Sequence, residues 1–352
     1  MTLFAHSPVF IVLLPLSASL LSLALSRLHR PLGAWLVQIS LLAAFLFSLV
    51  TMNQVLSVGG QSLHYWMGNW QPPIGIEFAV DPLNTLVVCM ITFIALVVSF
   101  YSKPFLENED WLHYGGYYTL YGLLTVGLCG MTITGDVFNM YVYLEIMSLA
   151  GYGLIALGGK KSMLAAFRYL LVGTIAASFY LIGIGYLYAM TGSLNMADIG
   201  LRIQPFIHTP LFAFTVACFL IAFGIKMALF PLHGWQPDAY TYSHPGAAGL
   251  ISGCMSKVPA YAMLRYFFYV FGLSGTVMEA LTNALGIMGI SGILIGSVMA
   301  LAQYDFRRML AYSSIAQVGY MLVGVVAADA AGMKALLFYL ALYAFANIGA
   351  FA

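Results

Sequence analysis

Charge is what this sequence has least of. Only 7% of its 352 residues are Asp, Glu, Lys or Arg, where a soluble domain has roughly a quarter. Net charge is +1 and no basic or acidic run occurs, so a polyanionic partner such as nucleic acid is set aside. Cysteine is scarce as well. Cys89, Cys129, Cys218 and Cys254 stand apart within apolar runs, with neither CxxC nor Cys/His spacing, and read as buried thiols with no disulfide framework, metal site or iron–sulfur cluster. The chain is therefore expected to hold no redox cofactor. No basic region precedes the first apolar run and no small-residue cleavage site follows it, so residues 9–26 read as a retained span and not as a signal peptide.

What fills the chain is apolar: 62% of residues are hydrophobic and the mean hydropathy is +0.93, more than a water-soluble fold can hide. Crossing a hydrocarbon core takes about 20 helical residues. Runs of that kind fall near 9–26, 34–52, 83–101, 117–133, 137–157, 164–190, 211–230, 247–271, 277–301, 309–326 and 335–352. They are too continuous for barrel strands, which alternate in polarity over roughly ten residues. The predicted fold class is an all-α polytopic membrane protein with about eleven transmembrane helices.

With the N-terminus outside, Arg27, Arg30, Lys103, Lys160, Lys161, Arg168, Arg307 and Arg308 fall on the cytoplasmic side and only Arg202, Arg265 and Lys334 on the other. That bias follows the positive-inside rule and sets the expected orientation in the cell (inner) membrane. The longest outer connection, residues 59–80, carries Trp66, Trp70, Pro72 and Pro73 and reads as an interfacial linker. The last apolar run reaches Ala352 with no polar cap, which reads as an incomplete gene product or fragment. A faint repeat is present. Asp136 begins a helix reaching Gly151-Tyr152 and Asp305 one reaching Gly319-Tyr320, in opposite orientations, as in the inverted repeats of transporters.

Three ionisable residues fall at bilayer depth. Glu145 lies mid-way in the run 137–157; a charge there costs about 2.5–3.5 kcal/mol on insertion scales, so it persists against a polar interior or a partner. Lys226 precedes Pro231, whose missing amide hydrogen and bulky ring should break the helix and free backbone carbonyls. Irregular backbone at that depth is tolerated only against protein or a wet cavity, which marks an ion-path position. Lys257, beside Pro259, sits about ten residues from a helix end, roughly 15 Å, farther than a lysine stem can snorkel. An ammonium taken out of water releases its proton more readily, and a nearby carboxylate retains it; a lysine balanced between the two can load and unload. The function indicated by the residues is movement of protons or small cations across the membrane.

Ser148, Thr174, Ser178, Tyr180, Ser252, Ser256, Tyr261, Gln317 and Asn347 are candidates to connect these sites, although helix–helix hydrogen bonds account for such residues more often. His233 and His244 flank Asp238 after the broken helix and suit a proton gate. As metal ligands the three match no standard spacing, and loop capping explains them equally well. No residue is assigned a catalytic role.

Four segments, in order, are recognisable together: Gly135-Asp136 through Glu145; Lys226 through Tyr240 (KMALFPLHGWQPDAY); Ser256-Lys257-Val258; and Asp305 through Tyr320 (DFRRMLAYSSIAQVGY). They resemble the antiporter-like membrane subunits of complex I and of Mrp cation/proton antiporters, with relatives in energy-converting hydrogenases. The stretch around Lys226 and Lys257 looks most like the D subunit of Mrp antiporters, and the last span, residues 338–351, more like the N subunit of complex I. The resemblance implies an ion pair of Glu145 with Lys226 and onward transfer through Lys257. It also implies a fourteen-helix fold with inverted five-helix repeats. The chain then divides into N-terminal helices over 1–112, a first repeat over 113–271 with its broken helix near Pro231, and an incomplete second repeat over 272–352. That second repeat stops short of the family's second broken helix. The implied partners are other membrane subunits of a respiratory or antiporter complex, protons, and possible Na+. The implied activity is proton translocation as part of an NADH-quinone oxidoreductase-type complex, the chain not being catalytic by itself. Na+/H+ exchange in an Mrp-type assembly is an alternative; a structural membrane-arm subunit without a complete proton path is another.

Overall fold

The computed structural model describes residues 3–272, 276–327 and 330–351. The chain end at Ala352, expected to mark a fragment, lies outside the described residues. Each of the eleven apolar runs carries a helix over described residues, the run 211–230 only as far as Lys226. Their helices are α1 (Ser7–Leu28), α2 (Arg30–Ser57), α3 (Pro82–Tyr101), α4 (Trp111–Ile133), α5 (Val137–Ala156) and α6 (Lys160–Thr191). A short α7 (Met196–Arg202) precedes α8 (Pro210–Lys226), and α9 (Gln236–Tyr242) follows the break. The next run is composite: α10 (Pro245–Leu250), a wide π turn (Ile251–Met255), α11 (Lys257–Leu264) and a second π turn (Arg265–Val270). Last come α12 (Thr276–Leu301), α13 (Phe306–Val326) and α14 (Ala330–Phe351).

Among the described residues seven helices are long and apolar enough to cross a membrane by length and composition. Helices α4 and α5 fall outside that set because their positions go to Tyr, Gly, Asn and Glu. Helix α4 lies in the middle of the bundle, where neighbouring helices replace lipid, whereas α5 buries one face and leaves Phe138, Val142 and Leu149 exposed on the other. Helix α4 packs against α1 and α5, and its residues from Leu124 to Ile133 are buried without a break. The approach is close: a Cβ on Gly127 would stand 2.5 Å from the Met147 backbone nitrogen of α5.

Polar caps fix where the spans begin. Asp81 accepts the amides of Leu83 and Asn84 at the start of α3; Asp136 and Asp305 accept those of Asn139 and Arg308 at the starts of α5 and α13. The two aspartates picked out as equivalent therefore open helices in the same manner. One correction concerns residues 59–80. Far from being a linker, they hold a two-stranded antiparallel hairpin, β1 (Leu63–Trp66) and β2 (Glu77–Val80), with Trp66 opposite Glu77. Trp66 and Trp70 remain exposed at its tip, as interfacial aromatics should. His6 reaches Tyr65 across 2.9 Å, so the N-terminal end of α1 lies on the hairpin face of the bundle.

Candidate functional site

The break falls where the proline chemistry requires. Helix α8 ends at Lys226, and α9 resumes only at Gln236. The intervening backbone places Ala228 in the left-handed region, at φ 59°. The Ile225 carbonyl, which accepts the Ala228 amide at 3.1 Å, also accepts the indole N–H of Trp235 at 2.7 Å, so a side chain of the same loop helps close the break. Trp235 lies flat on Tyr169, ring centroids 3.7 Å apart.

Lys226 is wholly buried. Its Nζ donates to Ser148 Oγ at 2.6 Å and to Tyr152 Oη at 3.2 Å, while the rings of Tyr152 and Tyr169 lie 5.6 and 5.7 Å away, within cation–π range. Ser148 and Tyr152 follow Glu145 by three and seven residues, so all three share one face of α5. The expected direct pair between Glu145 and Lys226 does not close: among the described residues no ion pair joins them, and Glu145 Oε1 has no hydrogen-bond partner. Lys226 meets α5 one turn beyond the carboxylate and takes neutral hydroxyls. The two charges remain within Coulomb reach of each other.

Lys257 has 1% of its surface exposed. The π turn before it opens the helix, and Nζ donates back to the Ser252 carbonyl at 2.5 Å, a carbonyl shared with Asn347 Nδ2 at 3.0 Å. The face of Tyr343 covers the ammonium at 4.4 Å. Beyond it, Tyr343 donates to Ser314 Oγ at 2.7 Å, and Tyr339 to Gln317 Oε1, so α13 and α14 carry a line of polar groups away from Lys257.

The loop residues do not converge. His244 Nδ1 accepts the Gly246 amide at the start of α10, His233 stacks on Phe230 with Nδ1 unpartnered, and Asp238 holds Arg168 at 2.8 Å and Arg308 at 2.9 Å. Asp238 thus ties α6 and α13 to α9. Among the described residues the ligand types that do cluster are Glu109, Asp110 and His113, all exposed. Thr174 and Ser178 turn outward and bond carbonyls of their own helix, which removes both from the set of connecting residues.

Sequence reasoning missed Tyr152, Tyr169 and Gly173. The first was legible from helical spacing; the others join the site through tertiary packing alone. A Cβ at Gly173 would sit 1.9 Å from Tyr152 Oη and 3.3 Å from Lys226 Nζ, and Tyr152 cannot retreat because its ring is wedged edge-on against Tyr169 at 4.7 Å. Gly173→Ala is therefore expected to destabilise the protein by about 1–3 kcal/mol, the usual cost of overpacking. It should also slow transport several-fold, read from thermal unfolding in detergent beside a transport assay.

Helices broken at mid-depth, with buried ammonium groups held by neutral oxygens and aromatic faces, define a polytopic membrane protein of the ion-translocating class. The profile of the NADH:quinone oxidoreductase/Mrp antiporter transmembrane family matches residues 134–352, and the chain belongs to this family. It is 43% identical over 347 residues to NADH-quinone oxidoreductase subunit N of Desulforudis audaxviator, covering 99% of this chain and 69% of that one. It is 34% identical over 264 residues to the D subunit of a Na(+)/H(+) antiporter of Alkalihalophilus pseudofirmus, covering 74% of this chain and 52% of that one. A chain of the membrane-bound sulfane sulfur reductase, an archaeal respiratory membrane complex, superposes with a TM-score of 0.90 at 28% identity, over 97% of this chain and 69% of the other.

Proposed function

We propose that the chain translocates protons across the membrane as an antiporter-like subunit of an NADH-quinone oxidoreductase-type complex, by way of Glu145, Lys226 and Lys257. One observation carries this reading: two lysines, buried to 0% and 1% exposure, have no carboxylate in contact among the described residues. A structural ammonium would be stabilised by a bonded anion. One held by hydroxyls, a carbonyl and ring faces can part with its proton and leave neutral partners behind. Pro231 supplies the break, Asp238 anchors the helix after it, and Gln317 belongs to the polar line beyond Lys257, while His233 and His244 lie in the connection between the broken helix and α10. In this reading residues 1–112 flank a first repeat over 113–271, and 272–352 contribute part of a second. The Lys/Arg bias supports an N-terminus outside the cell (inner) membrane, with the hairpin on the same face.

A second reading, Na+/H+ exchange in an Mrp-type assembly, draws on the Na(+)/H(+) antiporter relative. The two separate in one experiment on the intact complex in liposomes, with internal pH followed by a dye. Proton movement that persists without Na+ and falls at least about tenfold in Lys257→Ala supports the first. Proton movement that needs Na+ in the opposite compartment supports the second. Native rates in Lys257→Ala contradict both and leave a structural membrane-arm role.

A further inference from the structure

Far from either lysine, the hairpin face holds a second buried titratable cluster. Three connections are woven together there. The Gly135 amide donates to the Glu77 carbonyl at 3.0 Å, Phe78 bridges Thr134, and Asp136 bridges Asn195, so β2, the α4–α5 turn and the α6–α7 turn form one patch. Glu77 stands at its centre with 3% of its surface exposed. Its Oε1 accepts Asn195 Nδ2 at 2.6 Å and its Oε2 lies 2.9 Å from His64 Nδ1. Trp66 opposes Glu77, and His64, two residues along the same strand, shares that face of the hairpin.

A buried carboxylate with a histidine partner at its outer edge has an aqueous contact. His64 is 44% exposed along its side chain, and both residues line an open cavity of ≈ 250 Å³ together with Ser62, Gly135, Arg265 and Tyr269. Arg265 does not neutralise Glu77, because its guanidinium is paired with Asp81. Asp198, a further acid in the first turn of α7, is paired with Arg202 at 2.8 Å. Behind Glu77 stands Asp136, whose carboxyl is pushed up from its ordinary value by burial first, against the opposing pull of the Asn139 and Phe138 amides, and by the charge of Glu77 in addition.

Polar groups continue inward from Asp136. Tyr180 donates to the Val137 carbonyl at 3.1 Å and pairs with the Tyr266 hydroxyl; Tyr141 stacks on Tyr180 at 6.0 Å and precedes Glu145 by one turn of α5. From Asp136 to Glu145 is nine residues, about 13.5 Å of helix rise, and these tyrosines occupy that interval.

We propose that His64 and Glu77, backed by Asp136, form the port at which protons pass between the aqueous phase on the hairpin face and the Glu145–Lys226 path. The ligand is a hydrated proton. His64 exchanges it with water and with the Glu77 carboxylate, and Glu77 with Asp136, with no change of redox state. The port rests on the proton-translocation reading, and its test distinguishes the failure of each.

The experiment is proton transport by the intact complex in liposomes, as a function of pH on the hairpin face, for His64→Gln, Glu77→Gln and Lys226→Ala at matched subunit abundance. Glu77→Gln should slow transport at least about tenfold, within the usual contribution of a positioned acid–base group. His64→Gln should slow it several-fold with an altered pH profile, and imidazole added on the hairpin face should restore it in part, whereas Lys226→Ala should not respond to imidazole. Glutamine is close in shape to each side chain, and His64 is half-exposed, so its variant keeps the port testable even if Glu77→Gln does not assemble. Native rates and pH profile in His64→Gln and Glu77→Gln, with Lys226→Ala inactive, overturn the port and leave the path standing. Slowed variants with an unchanged profile and no imidazole response also overturn it, since they indicate structural damage. Native rates in all three overturn the proton-translocation reading itself.

Discussion

Lys226→Arg abolishes proton translocation as thoroughly as Lys226→Ala, although arginine keeps the charge and most of the bulk. Transfer through position 226 requires the side chain to give up its proton, and a guanidinium does not do so in proteins. Both variants should fall at least about tenfold below the native rate. A purely structural cation would behave otherwise: the five donors of arginine can satisfy Ser148 and Tyr152, and its flat face suits the aromatic walls of Tyr152 and Tyr169. The arginine variant thus separates a relay from a scaffold where alanine alone does not. The alanine variant also opens a void against Gly173 and the two rings, so its assembly should be checked by subunit abundance.

The largest stability effect is expected at Arg265. Its guanidinium pairs with Asp81, lies 4.9 Å from the centre of the Tyr269 ring, and joins two segments 184 residues apart in sequence. Removing one partner of a buried pair leaves the other charge desolvated, a loss of roughly 3–5 kcal/mol. With the pair 14% and 13% exposed, Arg265→Ala should fall at the lower end, about 3 kcal/mol. Asp81 stays bonded to the Leu83 and Asn84 amides, which limits the damage to α3. Asp81→Asn added to Arg265→Ala should recover part of the loss, because asparagine still caps and carries no charge. Thermal unfolding of the assembled complex in detergent reads both; a double variant no better than Arg265→Ala would show that the aspartate charge is not the source.

Much of this was written in the sequence because the membrane leaves few options. Apolar runs must be helices, a lysine beside a proline at mid-depth must meet protein or water, and Asp136 and Asp305 announce helix starts through their capping chemistry. The π turns around α11 were not legible, since an apolar run has the same composition whether its turns are narrow or wide. Nor was the hairpin: Glu77 and His64 lie thirteen residues apart in a stretch whose tryptophans and prolines suggested a loop, and only the fold brings Asn195 to the same carboxylate. Thr174 and Ser178 show the converse. Polar residues in a span look alike in sequence, and which face they occupy is decided by the helices that pack around them.

The central claim is that Lys226 moves protons, and the most direct measurement is the initial rate of dye-reported proton uptake into inverted vesicles carrying the intact complex, native against Lys226→Arg, at equal subunit abundance. The account predicts that uptake by the arginine variant is lost while the complex stays assembled. Uptake at the native rate would mean that position 226 needs only a positive charge and that protons cross elsewhere.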